Sequence, residues 1–287
     1  MLRRLLLSAA LVLLFGISVP AQTIRVMTFN VRYPAPGDGP NRWEYRRDMV
    51  VRTIRETNPD IFGTQELFYE PGLYIADKAA EYAWFGSSRL GNLKDEYKEG
   101  ESPADEHNGI FYKKATLRLL ESGDFWLSDT PDTPGSNTWD LSEQRLVTWG
   151  LFEIKANKRR FYLLDTHFPH RRQEAEARLK SARLILERIT RLRKGVPAIL
   201  TGDFNSPAGG EVYKVIEAVL TDAWPAAMRR SGPESTTNGF RGATGGPRID
   251  WIFFRGPLKV LEAETITHSE NGRYPSDHFP VLVVFQF

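Results

Sequence analysis

The sequence predicts an α/β sandwich in which two packed mixed sheets are flanked by helices. Short β-rich runs are interleaved with only a few helical stretches, and neighbouring runs often follow one another with no helix between them. No internal repeat or low-complexity linker divides the chain after its first 21 residues. A regular strand–helix–strand alternation would instead have indicated a Rossmann-type array.

Each element has its own signal. Residues 24–30 (IRVMTFN) are a short β-rich run, and residues 42–57 read as a helix with Met49, Val50 and Ile54 on its apolar side. Pro59 and Asp60 turn the chain into a second apolar stretch, which ends at Gln65-Glu66. Residues 82–86 and 109–112 predict strands, and 146–154 and 160–168 predict a pair joined by the polar turn 155–159. The clearest helix covers 172–193, where Ala175, Leu179, Ala182, Leu186 and Ile189 recur at three- and four-residue steps and make one buried stripe. Gly195 and Pro197 stop it, and 196–201 follows as a buried strand. Runs 248–254, 259–267 and 281–287 close the chain as strands. Two irregular stretches, 33–41 and 90–106, are rich in Gly, Pro and charge, which suits functional rims or lids better than core.

Composition excludes several classes. Of 287 residues 41% are hydrophobic and 26% charged, the balance of a soluble globular protein. With no cysteine there is no thiol nucleophile, zinc–thiolate site or iron–sulfur cluster. The chain starts with Arg3 and Arg4, an apolar run over 5–19 and then Val19-Pro20-Ala21, the pattern of a cleaved secretory signal peptide. We therefore expect residues 1–21 to be a signal peptide, 22–287 to be one catalytic domain, and the protein to be exported to the periplasm or beyond the cell. Setting aside Arg3 and Arg4 leaves 36 basic side chains of the 38, against 36 acidic. A balanced chain lacks the broad basic field that drives non-specific DNA binding.

The chemistry lies in the polar residues at strand ends. Asn30 ends the first run, Glu66 the second, and His167 the strand before it; Asp203 and Asn205 follow the buried strand. Asp250 interrupts an apolar run, and Asp277-His278 immediately precede the last strand. A single Asp or Asn behind a strand ordinarily caps a turn. Asp250 differs, because a carboxylate among apolar neighbours is costly unless it is paired or metal-bound. With the right strand polarity these groups meet on one rim. Oxygen ligands without cysteine favour Mg²⁺ or Mn²⁺, with Ca²⁺ as a further option.

The segments MTFN, GTQE, EHNGIFY, DTHF, GDFNS, RIDWIF and SDHFPV occur in an order that resembles the endonuclease/exonuclease/phosphatase superfamily, over essentially all of residues 24–287. An added run, 125–149, with FWLSDTPDTPGS and TWD, resembles a secreted bacterial branch. The resemblance implies a four-layer α/β sandwich and a metal-dependent phosphoester hydrolase. It implies that Glu66 is the main metal ligand, with Asn30 and Asp277 lining the metal side. Asp203 and Asn205 match the pair that orients the attacking water and the phosphate. His278 matches a histidine paired with an aspartate, here Asp250, and His167 a second histidine whose carboxylate partner aligns with Glu106. Arg145 aligns with a phosphate-contacting arginine. Relatives of this branch often carry Asp before the histidine that here is His170; this chain has Pro169, so His170 departs from the pattern.

A nuclease-type phosphodiesterase is slightly favoured, and a phosphatase or phospholipid diesterase of the same fold is the alternative. A catalytically inactive binding module would have lost at least one of these residues. The expected partner is a phosphoester substrate, nucleic acid among the candidates, with no obligate protein partner and a monomeric chain. Whether Asp203 or His278 is the general base, and whether one metal or two is used, is left open by the sequence.

Overall fold

A computed structural model describes residues 22–91 and 106–287. The expected signal peptide and residues 92–105 of the second irregular stretch lie outside the described residues. Among those described, no helix is long and apolar enough to cross a membrane.

Among the described residues, the thirteen strands in chain order are β1 (Thr23–Asn30), β2 (Ile61–Leu67), β3 (Tyr82–Phe85), β4 (His107–Lys113), β5 (Leu117–Trp126), β6 (Leu146–Ile154), β7 (Arg160–His167), β8 (Ala198–Asp203), β9 (Thr221–Asp222), β10 (Arg229–Ser231), β11 (Asp250–Arg255), β12 (Lys259–Thr265) and β13 (Val281–Gln286). The helices are α1 (Trp43–Thr57), α2 (Tyr69–Lys78), α3 (Ala175–Thr190), α4 (Glu211–Glu217) and α5 (Ala223–Ala226). One sheet has the order β10-β12-β13-β1-β2-β4-β3 and the other β5-β6-β7-β8-β11-β9. Both are mixed: β1 and β2 run parallel, as do β7 and β8, while β13 and β11 run antiparallel beside them.

The period-two alternation of strand side chains builds the layers. On β1, Ile24 and Val26 face the opposite sheet, and Met27 and Phe29 face α1. On β7 and β8, Phe161, Leu163 and Ile199 fill the space between the sheets, and Tyr162, Leu164 and Leu200 pack under α3 and α4. The result is helix, sheet, sheet, helix, the predicted four-layer sandwich.

The structure changes several predicted elements. Helix 172–193 divides into a 3-10 turn (Arg172–Glu174) and α3, whose buried face is Ala177, Ser181, Ala182, Ile185, Leu186 and Ile189. Ala175 is exposed and Leu179 only partly covered, so the true stripe is rotated from the predicted one. The stretch 33–41 contains a 3-10 segment (Pro36–Asn41) interrupted at Gly39. Helix α2 was hidden by Pro71 and Gly72. Proline is tolerated in a first turn, and the glycine is needed because a Cβ there would come 2.8 Å from the Trp84 ring. Strand β5 escaped notice because it is an edge strand with a bulge and a polar centre, Glu121 to Asp124.

Above the apolar core the inter-sheet space becomes polar. Asp165 Oδ1 accepts hydrogen bonds from Gln65 Nε2 and Thr201 Oγ1, both at 2.7 Å, tying one sheet to the other. Gly63 makes room for it, since a Cβ there would lie 2.0 Å from that oxygen. Burial pushes the Asp165 carboxyl well above the usual carboxylate range, against the hydrogen bonds from Thr201, Asn108 and Gln65. This layer is the floor of the cleft described next.

Candidate active site

Strand polarity and parity bring the predicted residues together. The parallel strands β1 and β2, and β7 and β8, end at the same rim, and the antiparallel β11 and β13 begin there. Asn30, His167, Asp203 and Asp250 share the parity of residues that face the inter-sheet core, so they continue that face at its open edge. Registers place His167 beside Asp203 and Asp203 beside Asp250. Glu66 has the opposite parity and reaches the rim by a local device. The β2–β4 pairing slips between Thr64 and Leu67, and Glu66 sits at φ 55°. A bulge of this kind re-aims one side chain.

Asp203 is central. Its Oδ2 accepts a hydrogen bond from Asn30 Nδ2 at 3.0 Å and lies 3.6 Å from His167 Nε2 and 3.9 Å from His278 Nε2. Its Oδ1 accepts the backbone N–H of Asn205 at 2.9 Å, where the chain turns at φ 47°. Each imidazole is held from behind by a carboxylate. His278 Nδ1 donates to Asp250 Oδ2 at 2.9 Å, and His167 Nδ1 donates to Glu106 Oε1 at 2.5 Å.

The two carboxylates differ in environment. Burial pushes Asp250 up to about 6, with the nearby Asp203 charge adding to it and His278 opposing. Burial lowers the His278 imidazole, but Asp250 and Asp203 outweigh it and hold the ring well above its ordinary value. Burial also raises Glu106, yet Arg145, His167 and Arg89 together hold it well below the usual carboxylate range. Arg145 donates to Glu106 at 2.8 Å and Glu143 at 2.9 Å, and Arg89 reaches Glu106 at 3.1 Å.

The Glu66 carboxylate accepts hydrogen bonds from Asn30 Nδ2 and the Tyr33 N–H, both at 3.1 Å. Arg32 stands beside it at 3.6 Å and 4.0 Å from Asp277, with its guanidinium bound to Asp38 by two 3.0 Å hydrogen bonds. A cationic group already lies between the Glu66 and Asp277 carboxylates, so this donor set fits a hard divalent cation. Asp203, Asp250 and His278 form a second cluster with possible ligand atoms within 4.8 Å of one another. There Asp250 Oδ2 and His278 Nδ1 are engaged with each other, which suits proton transfer better than cation binding.

All of the predicted residues converge. The cleft, about 330 Å³, is lined by Glu66, Glu106, Arg145, His167, Asp203, Asn205, Asp277 and His278, with Asn30 and Asp250 bonded directly behind. His170 also lines it, beside Arg145 at 3.4 Å. Arg145 is buried and engaged by two glutamates, an arrangement that positions Glu106 and that its alignment with a phosphate contact did not foretell. Asn205 donates its side-chain amide to the Phe168 carbonyl at 3.0 Å. Sequence reasoning missed Arg32, Tyr33, Phe68, Arg89 and Glu143 in the cleft wall. Only Arg32 had a signal, as the residue two after Asn30.

One further arginine organises the loops without entering the cleft. Arg46 on α1 is buried and donates to the carbonyls of Val31, Arg32, Tyr33, Asn41 and Pro275. Burial lowers its guanidinium to about 10, against the pull of Asp277, Asp38 and Glu66. Ser276 Oγ donates to the Asn30 carbonyl at 2.6 Å, so the loop carrying Asp277 is tied directly to the end of β1.

Residues 27–278 match the model of the Endonuclease/Exonuclease/phosphatase family. A solved structure of a mannosyl-6-phosphatase from Bacteroides thetaiotaomicron is 32% identical and covers 92% of this chain and 100% of that one, with a TM-score of 0.83. A family protein from Bacteroides vulgatus is also 32% identical, covering 93% of this chain and 99% of that one with a TM-score of 0.84. Rat Nocturnin is 24% identical over 304 residues, which is 92% of this chain and 66% of that protein. The chain thus spans 66% of the length of rat Nocturnin and 65% of the human protein.

Proposed function

The chain belongs to the endonuclease/exonuclease/phosphatase family, and from that premise we propose that it is an exported, Mg²⁺- or Mn²⁺-dependent phosphatase acting on small phosphomonoesters of sugars. Phosphoester hydrolysis is the chemistry of the family. The observation that carries the reading is Asp203, a carboxylate standing between two imidazole Nε2 atoms in a cleft that Glu66 and Asp277 also line, with Asn30 Nδ2 bonded to both Asp203 and Glu66.

Glu66 and Asp277, with Asn30 beside them, would hold the divalent cation, whose contribution is to neutralise charge on the phosphoryl oxygens. The chain's own residues manage the protons. With Asp250 behind it, His278 carries a proton and delivers it to the leaving alkoxide. Asp203, oriented by Asn30 and the Asn205 N–H, accepts a proton from the attacking water. His167, held by Glu106, donates a hydrogen bond to a phosphoryl oxygen as negative charge builds in the transition state.

A nuclease-type phosphodiesterase belongs to the same family. The phosphatase reading is supported by the compact cleft, the balanced charge of residues 22–287 and the 32% identity to a mannosyl-6-phosphatase. Export rests on the pattern of residues 1–21. The test is a panel of mannose 6-phosphate, p-nitrophenyl phosphate, bis-p-nitrophenyl phosphate and plasmid DNA with Mg²⁺ or Mn²⁺. Monoesters should be cleaved fastest, and faster cleavage of DNA or the diester would return the assignment to a nuclease. N-terminal sequencing of the secreted protein should begin at Gln22.

A further inference from the structure

Beside the cleft lies a second cavity of about 450 Å³ that the proposed chemistry does not use. The added run 125–149 supplies one wall and the start of α3 the other, with Trp139, Asp140, Ser142, Arg171, Gln173 and Lys180 facing it. Two backbone segments, 142–143 and 170–171, are shared between the walls of the two spaces. Glu143 and His170 line the cleft, while their chain neighbours Ser142 and Arg171 line the cavity. Successive Cα atoms are ~3.8 Å apart, so a substrate seated in the cleft has only a short step to the cavity.

The cavity is built rather than incidental. Glu174, buried between the walls, accepts hydrogen bonds from Ser142 N at 2.8 Å and Arg171 N at 3.0 Å, locking loop to helix. Asn137 brackets the turn that carries Trp139, donating to the Leu141 carbonyl at 2.8 Å and accepting the Leu141 N–H at 3.0 Å. Walls fixed in advance reduce the ordering cost of binding.

The lining indicates the ligand class. Lys180 and Arg171 offer donors, Asp140 and Glu176 acceptors, and Gln173 both, while the Glu174 carboxylate is already engaged by Ser142 N and Arg171 N, so charge of neither sign dominates. Anions would call for a cationic wall, and an apolar ligand would leave these groups unpaired. Trp139, half-buried, adds a flat ring surface, with Lys180 Nζ over it 5.5 Å from the centroid. A ring with hydroxyls around its edge and C–H groups on its face satisfies both demands.

We propose that this cavity is a glycan subsite that takes a sugar residue next to the phosphate-bearing one. The proposal rests on the phosphomonoesterase reading for its kinetic consequence but not for its binding. The experiment has two arms on the full chain. Kinetics compare mannose 6-phosphate carrying an α-linked second mannose with p-nitrophenyl phosphate for wild type, Trp139→Ala and Gln173→Ala. Saturation-transfer NMR with unphosphorylated mannobiose reads binding without turnover.

We expect KM for the disaccharide phosphate to rise about tenfold in Trp139→Ala with kcat retained, the mark of lost remote binding. The NMR signal should disappear in that variant. Gln173 is exposed, so Gln173→Ala should fold normally and raise KM by a smaller factor even if Trp139→Ala does not fold. Unchanged KM in a folded Gln173→Ala together with no mannobiose signal in wild type would overturn the subsite. An equal loss on p-nitrophenyl phosphate in both variants would also overturn it, since that indicates a structural role. If no monoester is cleaved but the Trp139-dependent NMR signal is present, the subsite stands and the phosphatase reading fails.

Discussion

On the His167 side of the cleft, Glu106 shares its charge with two arginines, whereas on the His278 side Asp250 is sealed by burial against its own imidazole. Both histidines point Nε2 at Asp203 and both are backed by a carboxylate at Nδ1. The same pairing therefore does different work. Asp250 has little charge to lean on except the proton on His278, so the two titrate together and keep a proton in the cleft. Glu106 is paired with Arg145 and Arg89 as well as with His167, so it fixes the ring from within a larger charge cluster.

The comparison can be broken at several points. The largest effect is expected from the rings themselves. His278→Ala and His167→Ala should each lower turnover by ~10²-fold or more, and the double variant should be little worse than either if they act as a unit. Near-normal kcat for His278→Ala, measured on p-nitrophenyl phosphate, would remove the proton-donor role.

Glu66→Gln comes next. Metal affinity read by titration calorimetry should fall steeply while the melting temperature of the metal-free protein changes little. Unaltered calorimetric affinity would move the cation elsewhere in the cleft.

Replacing the two supporting carboxylates then sharpens the contrast. Asp250→Asn should fold almost normally and lose much of its turnover. Its imidazolium has lost its strongest stabiliser, so the His278 pKa falls and the alkaline limb of the pH–rate curve moves to lower pH. Glu106→Gln should act on stability, because two arginines lose a charged partner; breaking a buried ion cluster costs roughly 3 kcal/mol or more. That stabilisation belongs to a carboxylate with a depressed pKa, so it is present above the unfolded value and lost as pH falls through the folded one. Thermal melts beside pH–rate profiles decide both, and identical behaviour of the two variants would erase the distinction.

The smallest effect lies under the cleft. Asp165 has a raised pKa, so its cost to stability is absent below the unfolded value near ~4 and grows as pH rises toward the folded one. Asp165→Asn should flatten that dependence and raise the melting temperature at pH 8 by a few degrees, about 2–4 °C per kcal/mol for a chain near this size. An unchanged melting profile would show that the buried carboxyl is fully compensated.

Most of the site was legible because strand parity and strand ends are sequence properties. Asn30, His167 and Asp203 each stand where a strand-like run stops, and Asp250 interrupts an apolar one. Glu66 was readable as the end of its run, but the bulge that turns it inward leaves no apolar signature, and its role came only through family resemblance. The arginines were illegible for a different reason. Arg46 reads as a polar helix residue, yet its partners are backbone carbonyls supplied by loops that no local pattern predicts to be adjacent. Arg89 and Glu143 come from irregular segments on either side of β5, an edge strand that was itself missed. The helix stripe over 175–189 held at Ala182, Leu186 and Ile189 but was rotated at Ala175 and Leu179, because Ser181, polar in sequence, is buried with its hydroxyl bonded to the Ala177 carbonyl at 2.7 Å.

The bond from Ser276 to Asn30 spans 246 residues, and Arg46 closes the same seam from α1. Strand β13, which follows that loop, inserts between β1 and β12 rather than adding to an edge. During synthesis, then, a nascent chain that has made Asn30, Glu66, His167 and Asp203 still lacks a finished centre. Those groups must wait for residues 276–286 before the rim can close. Hydrolytic competence is thereby tied to residues 276–286, and a chain that stops before Ser276 should be inert however well its remaining strands associate.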